Sequence, residues 1–260
     1  MDSSVAARNF RFRTPALLAL PFLLACAAHV QAQGMIGVGV GVVPEYEGSR
    51  DYRAVPVPVL NYQSGAFFIG SRNGLPGLGL KAPLAQDLTA GVYLGLGLGR
   101  DSSDHTRLRG LPDVDFHGLA GGFVEYKPGR ASFSIDARQA LKSNYGATVD
   151  LGASYAVFQS PESTISLGAS TTWANDDYMN TWFGVSRSNA ARSRAGLEAY
   201  SPSAGFKSAA LTTTWTYRFN KSWMTSTTIG VKTLLGDARD SPIVERDTSA
   251  FGAASILYAF

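Results

Sequence analysis

Runs of roughly 9–12 residues in which apolar side chains alternate with small or polar ones recur along this chain, and this pattern limits its fold more than anything else in it. Ile36, Val38, Val40 and Val42 share one face, opposite Gly37, Gly39 and Gly41. Val92, Leu94, Leu96 and Leu98 do the same against Tyr93, Gly95, Gly97 and Gly99. Val149, Leu151, Ala153, Tyr155 and Val157 form a third such face. Ile165, Leu167, Ala169 and Trp173 form a fourth, and Leu211, Thr213, Trp215, Tyr217 and Phe219 a fifth. A repeat of two is the period of a β-strand, not of a helix. The pattern predicts about twelve strands, near 34–43, 53–62, 65–71, 77–82, 88–100, 113–126, 131–142, 147–158, 163–174, 205–219, 222–235 and 249–260. The third and fourth are interrupted by Asn73-Gly74-Leu75-Pro76-Gly77.

Alternation by itself suits a soluble barrel as well as a membrane one. The two ends of the sequence choose between them. Arg8, Arg11 and Arg13, the apolar stretch Ala16 to Ala25 and the site Val30-Gln31-Ala32 together predict a cleaved secretory signal peptide over 1–32. Leu23-Leu24-Ala25-Cys26 offers a rival lipoprotein cleavage site. Cys26 is the chain's 1 cysteine, so a chain starting at 33 has no disulfide framework. At the other end Ala254, Ile256, Tyr258 and Phe260 share a face, and Tyr258 and Phe260 are expected to act as an assembly signal. A last strand paired with the first leaves no open edge. The expected fold is all-β: a closed antiparallel transmembrane β-barrel of about twelve strands over 33–260, in a Gram-negative outer membrane and in contact with its lipid.

Charge excludes other classes. Removing Arg8, Arg11, Arg13 and Asp2 turns 23 basic and 20 acidic side chains into 20 and 19, so no nucleic-acid partner is expected. No run approaches the length of a membrane-spanning helix. Short connections at Lys127-Pro128-Gly129-Arg130, Gln159-Ser160-Pro161-Glu162 and Asn220-Lys221 belong to the periplasmic side. The longer ones near 44–52, 101–112, 175–204 and 236–248 belong to the outside.

The loops resemble those of MipA/OmpV proteins. The resemblance rests on Pro44-Glu45-Tyr46-Glu47-Gly48-Ser49 with Tyr52 and Pro56-Val57-Pro58, on Gly99-Arg100-Asp101, and on Leu108-Arg109-Gly110-Leu111 with Asp113-Val114-Asp115. It continues through Trp173 to Val185 and Gly236 to Val244, and Asn175 stands where a further acidic residue is expected. It implies an outer-membrane protein without catalytic residues. The family's namesake is a scaffold that joins a murein hydrolase (a lytic transglycosylase) to a peptidoglycan synthase. Other members are surface antigens or adhesins.

No catalytic residue, cofactor or metal is expected. His105 beside Asp104 reads as a solvated loop histidine, and His117 as a lumen residue near Glu125. Asp176 and Asp177 are expected to be solvated, and Asp237 and Asp240 to flank a turn. Parity places Glu125, Asp136, Arg138, Asp150, Arg218 and Lys232 in the lumen, with Arg138 and Arg218 paired to Asp136, Asp150 or Glu125. Asp176, Asp177, Tyr178, Trp182, Asp237 and Asp240 are the candidates for a loop plug or gate, since Tyr178, Trp182 and Phe183 are apolar for a solvated loop. Two functions remain open: an envelope scaffold, and a narrow channel for small polar solutes.

Overall fold

The computed structural model describes residues 34–260; the signal peptide and its cleavage sites lie outside them. Twelve strands run β1 (Gly34–Pro44), β2 (Tyr52–Ser64), β3 (Phe67–Arg72), β4 (Leu75–Ala85), β5 (Leu88–Gly97) and β6 (His117–Tyr126). They continue with β7 (Ala131–Ala140), β8 (Ala147–Gln159), β9 (Ser163–Ala174), β10 (Gly205–Arg218), β11 (Trp223–Leu234) and β12 (Thr248–Ala259). Each strand pairs with its sequence neighbours, and β1 pairs antiparallel with β12 from Met35↔Ala259 to Val42↔Gly252, which closes the barrel.

The outward faces are those given by the period of two. Val38, Val92, Leu94, Tyr155 and Leu211 are all exposed, and a sheet facing lipid needs such a belt. Aromatic side chains gather at the short-turn end: Tyr126 stacks on Phe133, Tyr217 lies edge-on to Phe219, and Trp223 meets Tyr258 at 5.1 Å. Such rings suit the membrane–water boundary, where an apolar body and a polar tip are both satisfied. Phe260 is exposed, with its backbone bonded to Gly34 across the closing seam.

β5 and β6 are both shorter at the long-loop end than their sequence suggests. β5 stops at Gly97, so Leu98 leaves the outer face and turns into the lumen, and β6 begins only at His117. Between them Arg100 and Val114 form an isolated bridge, and two short 3-10 turns cover 102–104 and 106–108. The connection 175–204 is not an open loop. It forms α1 (Asp176–Phe183) and α2 (Arg187–Arg192), and α3 (Gly236–Arg239) opens the last long connection. Asn175 caps α1, its side-chain oxygen accepting from the Tyr178 N–H at 3.1 Å and from the Ala147 N–H at 2.8 Å, a role the expected acid could also fill.

The β3–β4 hairpin departs most from a simple wall. Asn73 (φ 48°) and Gly74 (φ 80°) make the tight Asn-Gly turn that interrupted the pattern. β2 pairs with β3 only over Tyr62–Ser64. Above that point β2 keeps its β1 ladder alone, and Pro56 and Pro58 stand there, where a missing N–H is tolerated. Freed from β2, the hairpin tip leans across the lumen: Asn73 Nδ2 lies 3.2 Å from Asp150 on β8, four places round the wall from β4. Gly74→Val should cost roughly 1–2 kcal/mol, because a β-branched residue at this φ is strained. The barrel's heat-modifiable gel mobility should then be lost at a lower temperature, and an unchanged temperature would mean that the turn relaxes freely.

Candidate functional site

Two layers lie across the lumen. The lower one forms around the hairpin tip. Arg72 contacts Glu125, lies 3.2 Å from Asp136 Oδ2 and stands 3.7 Å above the Phe123 ring. Asp136 also accepts from the Tyr93 hydroxyl at 2.6 Å, so a carboxylate only 2% exposed is fully answered. Asp136 and Asp150 face each other in register across β7 and β8. Two such charges are tolerated because Arg72 takes the first and Arg138 the second, at 2.8 Å. Lys127 closes the column below Glu125 at 2.6 Å.

The upper layer is a cap across the end bearing the long loops, which is the outer end by the turn-length rule. Its core joins Tyr46 from the first loop and Leu108 and Leu111 from the 98–116 connection to Met179, Phe183, Val185 and Leu197. Ala238 and Ile243 from the last loop complete it, with Tyr178 and Trp182 packed alongside. Polar bonds fix the same four segments. Ser241 donates to the Phe183 carbonyl at 2.6 Å, Tyr46 to the Ile243 carbonyl at 3.1 Å, and Arg107 to the Pro242 carbonyl at 2.6 Å. At Gly146 (φ 74°) an added Cβ would stand 2.1 Å from the Tyr178 nitrogen, so glycine lets the β7–β8 turn meet the start of α1.

Glu47 ties the cap to the wall. It accepts from Lys207 at 2.8 and 2.9 Å and also pairs with Lys232. Burial alone would raise its carboxyl, yet the two lysines outweigh burial and hold it well below the usual carboxylate range. Tyr178 on α1 is pushed up, first by burial and then by the charge of Glu47. Between the two layers lies a chamber of about 120 Å³ whose lining includes Glu47, Asn73, Arg100, Arg138, Tyr178 and Lys207.

The residues singled out from the sequence fall as follows. Asp176 and Asp177 are exposed on the first turn of α1, and Asp176 anchors the Ala204 N–H at 2.6 Å. Asp237 accepts from the Ser203 N–H at 2.8 Å, and Asp240 forms a surface pair with Arg239. Glu125, Asp136, Arg138, Asp150 and Lys232 belong to the lumen network. Arg218 does not: at the far end of β10 it donates to the Pro161 carbonyl at 3.4 Å and makes no ion pair among the described residues. His117 lies at the opposite end of β6 from Glu125, bonded to the Asp115 carbonyl and edge-on to Tyr145. His105 is not solvated; it is 5% exposed and pairs with Glu45 at 2.9 Å rather than with Asp104.

Glu47, Arg72, Arg100 and Lys207 escaped the sequence reading. Arg72 stands at the end of β3, and Arg100 in the isolated bridge beyond β5. Lys207 has the parity of the lipid face, but a bulge between Phe206 and Ser208 turns it inward, to 4% exposure. A lysine on a lipid-facing strand was the one available sign that the register shifts there.

A cysteine at Asp240 should react with an impermeant maleimide on intact cells, and one at Asn220, in the short β10–β11 turn, only after the outer membrane is breached. The reverse order would invert the topology.

A closed antiparallel barrel with an apolar outer belt, aromatic rings at the boundary and a polar interior is an outer-membrane β-barrel. The chain belongs to the family described as MltA-interacting protein MipA, which matches residues 36–260. It is 29% identical over 251 residues to the MltA-interacting protein of Escherichia coli strain K12, covering 94% of this chain and 98% of that one, and equally to that of Shigella flexneri. Among solved structures it is similar to a bacterial polysaccharide outer membrane secretin (TM-score 0.43, 8% identity, 89% of this chain and 100% of that one). It is also similar to an outer membrane channel of Pseudomonas putida F1 (TM-score 0.42, 11% identity, 89% and 97%).

Proposed function

We propose that this protein is a non-enzymatic interaction barrel, made with a cleaved signal peptide, that holds a murein hydrolase, and through it a peptidoglycan synthase, at the inner face of the outer membrane. The observation that carries this reading is the lumen crossed twice, by the Arg72 layer and by the packed cap. A barrel so obstructed suits docking better than diffusion. Family membership and the name of the Escherichia coli relative support the kind of partner. The family-like loop motifs build the cap, which leaves the short turns at 127–130, 160–162 and 219–222 as the partner's surface.

Photo-crosslinkers at Arg130, Glu162 and Lys221 should each capture a murein hydrolase in native envelopes, and one at Asp240 should not. Capture from Asp240 alone would defeat the reading. A defined single-channel conductance in planar bilayers would favour a channel instead.

A further inference from the structure

We propose that the chamber between the two layers is a binding site for a small organic carboxylate. Four cations line it, and three of them have carboxylate partners within the barrel. Lys207 and Lys232 share Glu47, and Arg138 has Asp150. Arg100 makes no ion pair among the described residues, although it is only 7% exposed. Its guanidinium donates from Nη1 to the Trp182 carbonyl at 2.8 Å, and its Nε is buried without a partner among the described residues. Arg138 uses NH2 on Asp150 and Nε on Thr148, and its NH1 is likewise buried and unanswered. Two guanidinium groups, each with an unanswered donor, thus line one chamber.

Buried donors without acceptors are uncommon in native proteins and mark a missing partner. A guanidinium fork matches a carboxylate in both charge and geometry. Burial lowers Arg100 to about 10, which leaves it charged at neutral pH. The lining also carries Glu45, Glu47, Asp150 and several hydroxyls, while Leu98, Leu119 and Trp182 supply the apolar and aromatic surface that favours an organic body over a bare inorganic ion. The chamber, of about 120 Å³, is partly open rather than sealed, so a compact aromatic carboxylate such as benzoate is a suitable probe. The inference does not rest on the docking role proposed above.

Equilibrium dialysis of the refolded mature barrel against labelled benzoate tests it, and long incubation removes slow entry through the cap as a cause of failure. Saturable retention is expected, with neutral benzamide at least ~10-fold weaker. Arg100→Gln should weaken benzoate by ~10-fold or more. Ser170→Phe, which fills the chamber and keeps its charges, should abolish retention. Heat-modifiable gel mobility confirms that each variant is a folded barrel, and Arg138→Gln serves should Arg100→Gln fail to fold. No saturable retention at millimolar benzoate would overturn the proposal. So would equal binding of benzamide, or unchanged affinity in the folded arginine variant. Displacement of benzoate by chloride at equal concentration would reduce the site to a general anion site and overturn the carboxylate assignment.

Discussion

Glu47→Gln should lower the melting temperature of the barrel by roughly 10 °C and loosen the cap. The change leaves Lys207 and Lys232 facing each other with no opposing charge, and Lys207 is almost wholly buried. Removing one member of such a buried group costs about 3–5 kcal/mol, mostly because the stranded cations stay desolvated. Replacing all three residues by apolar ones of similar size (Glu47→Leu, Lys207→Met, Lys232→Met) should recover much of that loss. If the single variant melts like the parent, water rather than Glu47 balances the lysines. The pH dependence follows from sign. The folded carboxyl lies below its unfolded value of about 4.3, so its contribution is fully present above that value and is lost as pH falls through the lower, folded one. Between pH 5 and 8 the wild-type melting temperature should owe no variation to this group.

Phe183→Ala should open the cap while leaving the wall intact. Phe183 ends α1 at 1% exposure, and its neighbours in the cap core come from all four long connections. Deleting the ring costs about 3–5 kcal/mol in a packed interior. That loss falls on loops held by one small cluster rather than by the continuous ladder of the barrel. Trypsin should then cleave after Arg187, Arg192 or Arg194 in intact cells, and gel mobility should still report a folded barrel. Unchanged protease resistance would mean that the bonds from Ser241, Tyr46 and Arg107 hold the cap without the aromatic core.

The wall of the barrel was legible because a strand's inward and outward faces follow a rule within one segment. Ile36 to Val42 could be read as one outer face from four residues, and so could the pairing sides of the turns at 127–130 and 220–221. Asp136, Arg138, Asp150 and Lys232 were reached by the same count. The count fails wherever the register slips. At Lys207 one extra residue reverses the face, and nothing in a run of period two marks the slip except a charge where lipid should be.

By itself, then, the sequence pointed to a closed membrane barrel of about twelve strands, its lipid face and its two kinds of connection: the strands and turns depend on near neighbours, and the membrane setting on the signal-peptide pattern and the aromatic last strand. Only the tertiary structure decided what fills the barrel. Glu47 meets Lys207 and Lys232 across 160 and 185 residues, Asn73 meets Asp150 across 77, and Tyr46 meets Ile243 across 197. Such contacts join segments far apart in sequence across the interior of the closed wall, so no local period records them.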